Sequence, residues 1–435
     1  MKGDSMTNRV FRVKTGDSRA RIELKPEEIK LLEELFIHRS LEGRLIHDYY
    51  QSSKGLAKNP SHVSTRLTKM VDARLLIRMV DDDDSLMKVN RFHYHYKIGR
   101  RGLEVLAQTG FIRKEDIERY YFQIIRLKIP KIHKLATSVI AHQVRVMGMN
   151  EGFTEYEHYR GIDDVQEINY KLDQGSIVPD WIFYRGSRWV YLELDTGTEN
   201  VKKIESKMER YVDLAKKYPT RMISVVFSVA DSSLGYSTFY FDNRSKRVAT
   251  IKGSAPPVHE WPDNLHFYSV CSEDTAPLVL RLLKGIQPVT RSSRQLFIDD
   301  WLEHMNQWGR RLTVVENCPS NPKSPRLAWD YIINFESMDA TFKVGIIYGE
   351  QGSVETYQLM KSFEYRRIHE GEAFGLDYLI VVYPDEEQVH TDVIGETLEY
   401  VAFNSLSILK KKDKDKHAHF MKMVSPFKKE GGLFE

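Results

Sequence analysis

From Pro26 to Gly110 the apolar positions change period several times, and each change predicts a new element. PEEIKLLEELFIHR places apolar residues three and four apart, the spacing that keeps one helix face dry, with Pro26 in a first turn where a proline is tolerated. GRLIHDYYQSS repeats that spacing over a shorter helix, and Asn59-Pro60-Ser61 caps a third, HVSTRLTKMVDARLLIRMV, which runs on into a strand. The acidic run Asp81 to Asp84 marks a solvated turn, and FHYHYKIGRRGLEVLAQTG reads as a strand followed by a helix. A helical connector ends at Pro130, and His133 to Met147 is again helical. A strand near Phe153 to Tyr159 then precedes VPDWIFYRGSRWVYLELD, two strands joined by a tight turn. A long helix from Asn200 to Lys217 leads to RMISVVFSV, whose unbroken apolar run is that of a strand buried on both faces. FYFDN and LHFYSVC suggest further strands, and SEDTAPLVLRLLKG a helix.

The second half repeats this order. RQLFIDDWLEHMNQWGRR is a helix, LTVVENC, LAWDYIINFES and ATFKVGIIYGE are strands, SVETYQLMKSFEYRRI is a helix and DYLIVVYP a buried strand. An internal duplication would place Lys361 and Tyr365 on Lys207 and Tyr211, with Asp330 matching Asp180. Gly345 and Ile347 then stand where the first copy has Glu193 and Asp195, so the second copy is degenerate and should hold no metal.

Composition sets the outer limits. At 435 residues the chain exceeds one ordinary core, and 41% hydrophobic content supplies ample material for burial. A net charge of +3 excludes a global polycation, so any contact with nucleic acid must come from local clusters of basic residues. Cys271 and Cys318 lie far apart without metal-like spacing, which points to a reducing cytoplasm. No apolar run approaches the length of a membrane span, and MKGDSMTNRV has no hydrophobic signal region. There is no Gly-x-x-x-x-Gly-Lys phosphate loop, so no nucleotide cofactor is expected. Among the fifteen histidines, His133 and His142 included, no ligand spacing emerges.

The chemistry concentrates in the first hairpin. Asp180 opens one strand and Glu193 lies near the end of the next, so the pleat can bring two carboxylates together at one sheet end. They would repel unless a cation lay between them, and oxygen donors of this kind suit Mg²⁺ or Mn²⁺. Lys207 and Tyr211, four apart, share one face of the following helix. Thr196, Gly197 and Thr198 form the turn into that helix, whose N-terminus could face a phosphate. The plainer alternative makes Asp180 and Glu193 turn and surface carboxylates.

The P-D and E-x-D spacing resembles the PD-(D/E)XK nuclease superfamily, whose core runs helix, three strands, helix, strand. Asp195 occupies the place of the usual motif lysine, but some members carry that lysine on the next helix, where this chain has Lys207. The resemblance implies Asp180 and Glu193 as metal ligands, Lys207 as the group steadying water or phosphate, and Tyr211 and Asp195 in support, Asp195 binding a second ion or positioning Lys207. Residues 22–112, with three helices, the R-L-x-x-M pattern and a charged hairpin ending in Y-x-I-x-x-x-G, resemble a winged helix-turn-helix domain. There Ser61, His62, Ser64, Thr65, Arg66 and Lys69 would meet phosphate or base edges of double-stranded DNA, flanked by Arg91, Arg100 and Arg101. A winged helix serving only protein contacts is the alternative.

Taken together, the winged helix, PDWIFY…LELDTGTE and K-x-x-x-Y resemble the replication-relaxation family of bacterial plasmids and mobile elements. The expected fold is thus α/β, with an N-terminal winged helix and a mixed, nuclease-like sheet that is duplicated. The segments are a flexible arm (1–21), the winged helix (22–112), a helical connector (113–132), a nuclease-like domain (133–290), its degenerate copy (291–408) and a charged tail (409–435). The expected function is a metal-dependent DNA endonuclease or nickase in the bacterial cytoplasm, compatible with a homodimer. The alternative is a non-catalytic origin-binding or regulatory protein.

Overall fold

The computed structural model describes residues 11–14, 21–56, 58–79, 94–161, 177–235, 244–287, 290–307, 311–317, 329–336 and 341–410. Asp81 to Asp84, Arg91, FYFDN, Cys318 and the tail from 411 onward lie outside the described residues. The chain divides into two compact units, residues 1–160 and 161–435.

The first unit opens with β1 (Phe11–Lys14) and β2 (Arg21–Leu24), an antiparallel pair in a region where the sequence suggested an irregular arm. Ile22 and Leu24 are buried, which anchors β2 despite its polar neighbours. Then come α1 (Pro26–His38), β3 (Leu41–Glu42), α2 (Gly43–Ser52), α3 (Pro60–Asp72), β4 (Leu76–Met79) and β5 (His95–Ile98). β5 pairs antiparallel with both β3 and β4, giving a small sheet of order β3-β5-β4. The α3 cap is the Asn59 side chain, which accepts a hydrogen bond from the Ser61 N–H at 3.0 Å. Val63, Leu67 and Met70 point inward from α3, while Ser61, His62, Ser64, Thr65, Thr68 and Lys69 are left to solvent. The unit ends with α4 (Arg100–Gln108), α5 (Ile117–Ile125), α6 (Ile132–Asn150) and β6 (Glu157–Arg160).

The second unit carries two sheets. β7 (Trp181–Arg185) and β8 (Arg188–Asp195) form a hairpin whose turn uses Gly186 at φ +58°, a left-handed conformation that glycine adopts without strain. α7 (Val201–Lys217) crosses from β8 to the parallel strand β9 (Met222–Val229). After α8 (Arg244–Gly253), β10 (Leu265–Cys271) extends the sheet in parallel, so that the strands of this unit run β10-β9-β8-β7, and α9 (Ser272–Lys284) follows. β8 and β9 are buried over nearly their whole length, as parallel strands covered on both faces require.

α10 (Arg291–Gln307) leads to β11 (Arg311–Asn317), β12 (Tyr331–Glu336) and β13 (Thr341–Tyr348), an antiparallel set. α11 (Val354–Glu370) crosses to β14 (Tyr378–Tyr383), and α12 (Glu386–Thr391), β15 (Val401–Ser405) and α13 (Leu406–Lys410) complete the chain that is described. β13, β14 and β15 are parallel neighbours, giving the order β11-β12-β13-β14-β15. Both sheets therefore contain a hairpin, a crossover helix and parallel strands beyond it.

The expected residue correspondence between the sheets is shifted. Asn200 caps α7 and Ser353 caps α11, so Met360 and Glu364, rather than Lys361 and Tyr365, take the places of Lys207 and Tyr211. Trp181 pairs with Leu192 as Tyr331 pairs with Ile346, which puts Ile347 and not Gly345 in the place of Glu193. Burial agrees, since Tyr211 is wholly buried while Tyr365 is 65% exposed. The sheets meet through Ser269, whose N–H donates to Gly352 O at 2.8 Å, and through Lys252, whose buried ammonium lies 2.6 Å from Asp392.

Candidate functional site

The hairpin brings its two acids together. The Asp180 N–H donates to Leu192 O at 3.0 Å, and its own Oδ2 accepts from the Leu194 N–H at 2.8 Å. Continuing the ladder from the Trp181–Leu192 pair sets Asp180 opposite Glu193. Gly161 supports this corner by donating its N–H to Asp180 O at 3.3 Å; a Cβ there would lie 1.6 Å from Pro179 O, so no other residue fits.

Glu193 is 3% exposed and held on both oxygens. The Tyr211 hydroxyl donates to Oε1 at 2.6 Å, and the Lys207 ammonium lies 3.1 Å from Oε2 and 3.0 Å from Glu199. Burial pushes the Glu193 carboxyl up to about 7, with the Asp180 charge adding to the shift and Lys207 and Tyr211 opposing it. Lys207 is itself partly desolvated, yet Glu193 and Glu199 raise its pKa, so it stays an ammonium. Asp180, Glu193, Lys207 and Tyr211 are thus one cluster drawn from a strand entrance, a strand and a helix.

Asp195 belongs to a neighbouring ion pair. Arg247 from α8 binds it on both oxygens, at 2.6 and 2.8 Å, and donates a further bond to Glu199 O at 2.6 Å. Sequence reading missed Arg247 because α8 is short and polar, and because the pair spans distant parts of the chain. An acid where the superfamily pattern puts lysine thus brings a guanidinium to the same sheet end.

In the first unit Ser61, His62, Ser64, Thr65 and Lys69 are exposed along α3. Arg66 is different: its guanidinium clasps the buried Glu28 at 2.6 Å to each carboxylate oxygen, and Tyr50 donates to the same group at 3.0 Å. It is therefore turned into the unit rather than presented outward. Arg100 pairs with Glu104 and Glu118, Arg101 is half-buried, and Arg91 is outside the described residues.

Histidine spacing proved more informative than the linear sequence suggested. Glu34 and His38, one helical turn apart on α1, meet His158 of β6, and this buried group could hold a metal ion. Among the described residues no helix is long and apolar enough to cross a membrane.

The replication-relaxation family model matches residues 32–226, a stretch that contains α3, the hairpin and α7. The comparison with curated proteins yields no match. Among solved structures the restriction endonuclease FokI is similar at 13% identity and a TM-score of 0.18, over 61% of this chain and 45% of that one. This chain therefore spans less than half of FokI, and a likeness at that score carries no argument about fold or activity.

Proposed function

With residues 32–226 belonging to the replication-relaxation family, we propose that the protein binds double-stranded DNA during plasmid or mobile-element replication and nicks it with a divalent ion. The observation that carries this reading is the convergence of Asp180, Glu193 and Lys207, with Glu193 titrating near neutral pH. Asp180 and Glu193 would hold Mg²⁺ or Mn²⁺, since facing carboxylates offer the hard oxygen donors these ions require. Such an ion would supply a nucleophilic water at neutral pH and offset charge on the phosphate. Lys207, kept in place by Glu199, would hold a phosphate oxygen, and Tyr211 would orient Glu193 through its hydroxyl. Arg247 adds a second cation beside the backbone.

We read α1, α2, α3 and the β3-β5-β4 sheet as a winged helix, with α3 entering the major groove. The support is the order of elements and the polar face of Ser61, His62, Ser64, Thr65 and Lys69. We read the second sheet as a degenerate copy of the first, supported by the shared strand directions and by Asp330, whose Oδ2 accepts from the Tyr348 N–H at 2.7 Å as Asp180 does from Leu194.

The test is supercoiled plasmid incubated with the full chain, Mg²⁺ or Mn²⁺, and chelator. Nicked circles should form with the ion and vanish in chelator, in Asp180→Asn and in Glu193→Gln, while DNA binding persists. Nicking that survives excess chelator would overturn the mechanism. A second reading, DNA binding without cleavage, is favoured by the closed Asp195–Arg247 pair and by the hydrogen bonds on both Glu193 oxygens. Retained binding with no nicking under any divalent ion would support it.

A further inference from the structure

We infer that Glu34, His38 and His158 form a structural zinc site inside the first unit, joining α1 to β6. Their donor atoms all lie within 4.8 Å of one another and all three residues are buried. Glu34 Oε2 is 3.5 Å from His38 Nε2 and 3.1 Å from His158 Nε2. Zinc bonds of about 2.0–2.1 Å in a tetrahedron put neighbouring ligand atoms roughly 3.3 Å apart, midway between those separations.

The surroundings fit ligation. His38 Nδ1 is 2.5 Å from Ser138 Oγ, so the partner that fixes the ring lies on the nitrogen facing away from Glu34. Metal-bound imidazoles are commonly oriented in this way through their second nitrogen. The other Glu34 oxygen, Oε1, lies 2.9 Å from Arg145 Nε and 3.3 Å from His158 Nε2, while Oε2 faces both imidazoles. His142 supplies a third imidazole nearby: it is 1% exposed, its centroid lies 6.4 Å from that of His38, and neither ring nitrogen makes a well-formed hydrogen bond beside the Leu45 backbone.

The donor set also decides which metal. Two imidazoles and one carboxylate suit a borderline ion, and the guanidinium groups of Arg145 and Arg160 around the cluster repel one held only weakly. Mg²⁺ is therefore disfavoured here, which separates this site chemically from the Asp180–Glu193 pair.

The experiment measures metal content of the full chain purified from zinc-supplemented medium and desalted. Stoichiometric zinc is expected, retained in Asp180→Asn and Glu193→Gln and lost in His158→Gln and His38→Gln. Zinc only at trace level, or zinc unchanged in the histidine variants, would overturn the assignment. Should those variants fail to fold, cobalt-loaded wild-type protein decides: intense visible bands of a four-coordinate ion support the site, and the weak bands of an octahedral ion refute it. Failure of the nicking reaction leaves each of these readouts intact.

Discussion

A carboxyl group that titrates near 7 inside a sheet makes the protein's stability depend on pH. Glu193 has an ordinary value of 4.5 and a folded value of about 7, so the folded state holds its proton more tightly than the unfolded chain. Its contribution is fully present below the unfolded pKa and is lost as pH rises through the folded one. The difference corresponds to roughly 3 kcal/mol at full ionisation, from about 1.4 kcal/mol per unit. Glu193→Gln keeps an acceptor for Tyr211 without the charge. Urea unfolding at pH 5 and pH 8 should therefore show the variant gaining on wild type as pH rises, and a gap independent of pH would contradict the burial argument. Lys207→Ala should slow nicking about a hundredfold, as expected for a lost partner of transition-state charge, whereas Lys202→Ala and Lys203→Ala, exposed in the first turn of α7, should have little effect. Rates with saturating divalent ion check this, and equal losses at all three would indicate general attraction of phosphate. At this scale the sequence disclosed Asp180, Glu193, Lys207 and Tyr211, because strand alternation and helical spacing constrain them. It did not disclose Arg247, since no periodicity links a helix to a strand end across intervening elements.

Among the elements, α3 shows how burial divides one helix into two roles. Lys69 is exposed, so Lys69→Ala should weaken DNA binding and reduce the salt slope by about one unit, as measured by titration at several ionic strengths. Arg66→Ala should instead act on folding. It strands the Glu28 carboxylate, 2% exposed, and loss of one partner of a buried pair typically costs about 3 kcal/mol or more. A thermal melt distinguishes the two variants, and an unchanged melting temperature for Arg66→Ala would contradict its structural role. The long helices and the apolar strands were legible because their patterns persist over several turns or pleats. β1, β2 and α8 were not, because short polar segments owe their form to pairing and packing rather than to a pattern of their own.

For the whole molecule, charge and composition said little about how the second unit coheres. Its sheets share a buried polar junction: Lys252, wholly buried, binds Asp392 at 2.6 Å and Val393 O at 2.8 Å, and the Tyr383 hydroxyl donates to Asp392 at 2.6 Å. Lys252→Ala should destabilise the unit by about 3–5 kcal/mol, and Lys252→Met with Asp392→Leu by much less, because the paired replacement leaves no isolated charge. Denaturant midpoints of the single and double variants test this. The aspartate that braces each hairpin bears on how such sequences are read. Asp330 grips the Tyr348 N–H in a sheet where Ile347 stands across the ladder, so the corner calls for an acid even where no second carboxylate faces it. An aspartate at the mouth of a hairpin is thus ambiguous testimony, since a stable bend and a working metal ligand would be spelled with the same letter. The informative letter is the one across the ladder, glutamate in one sheet and isoleucine in the other.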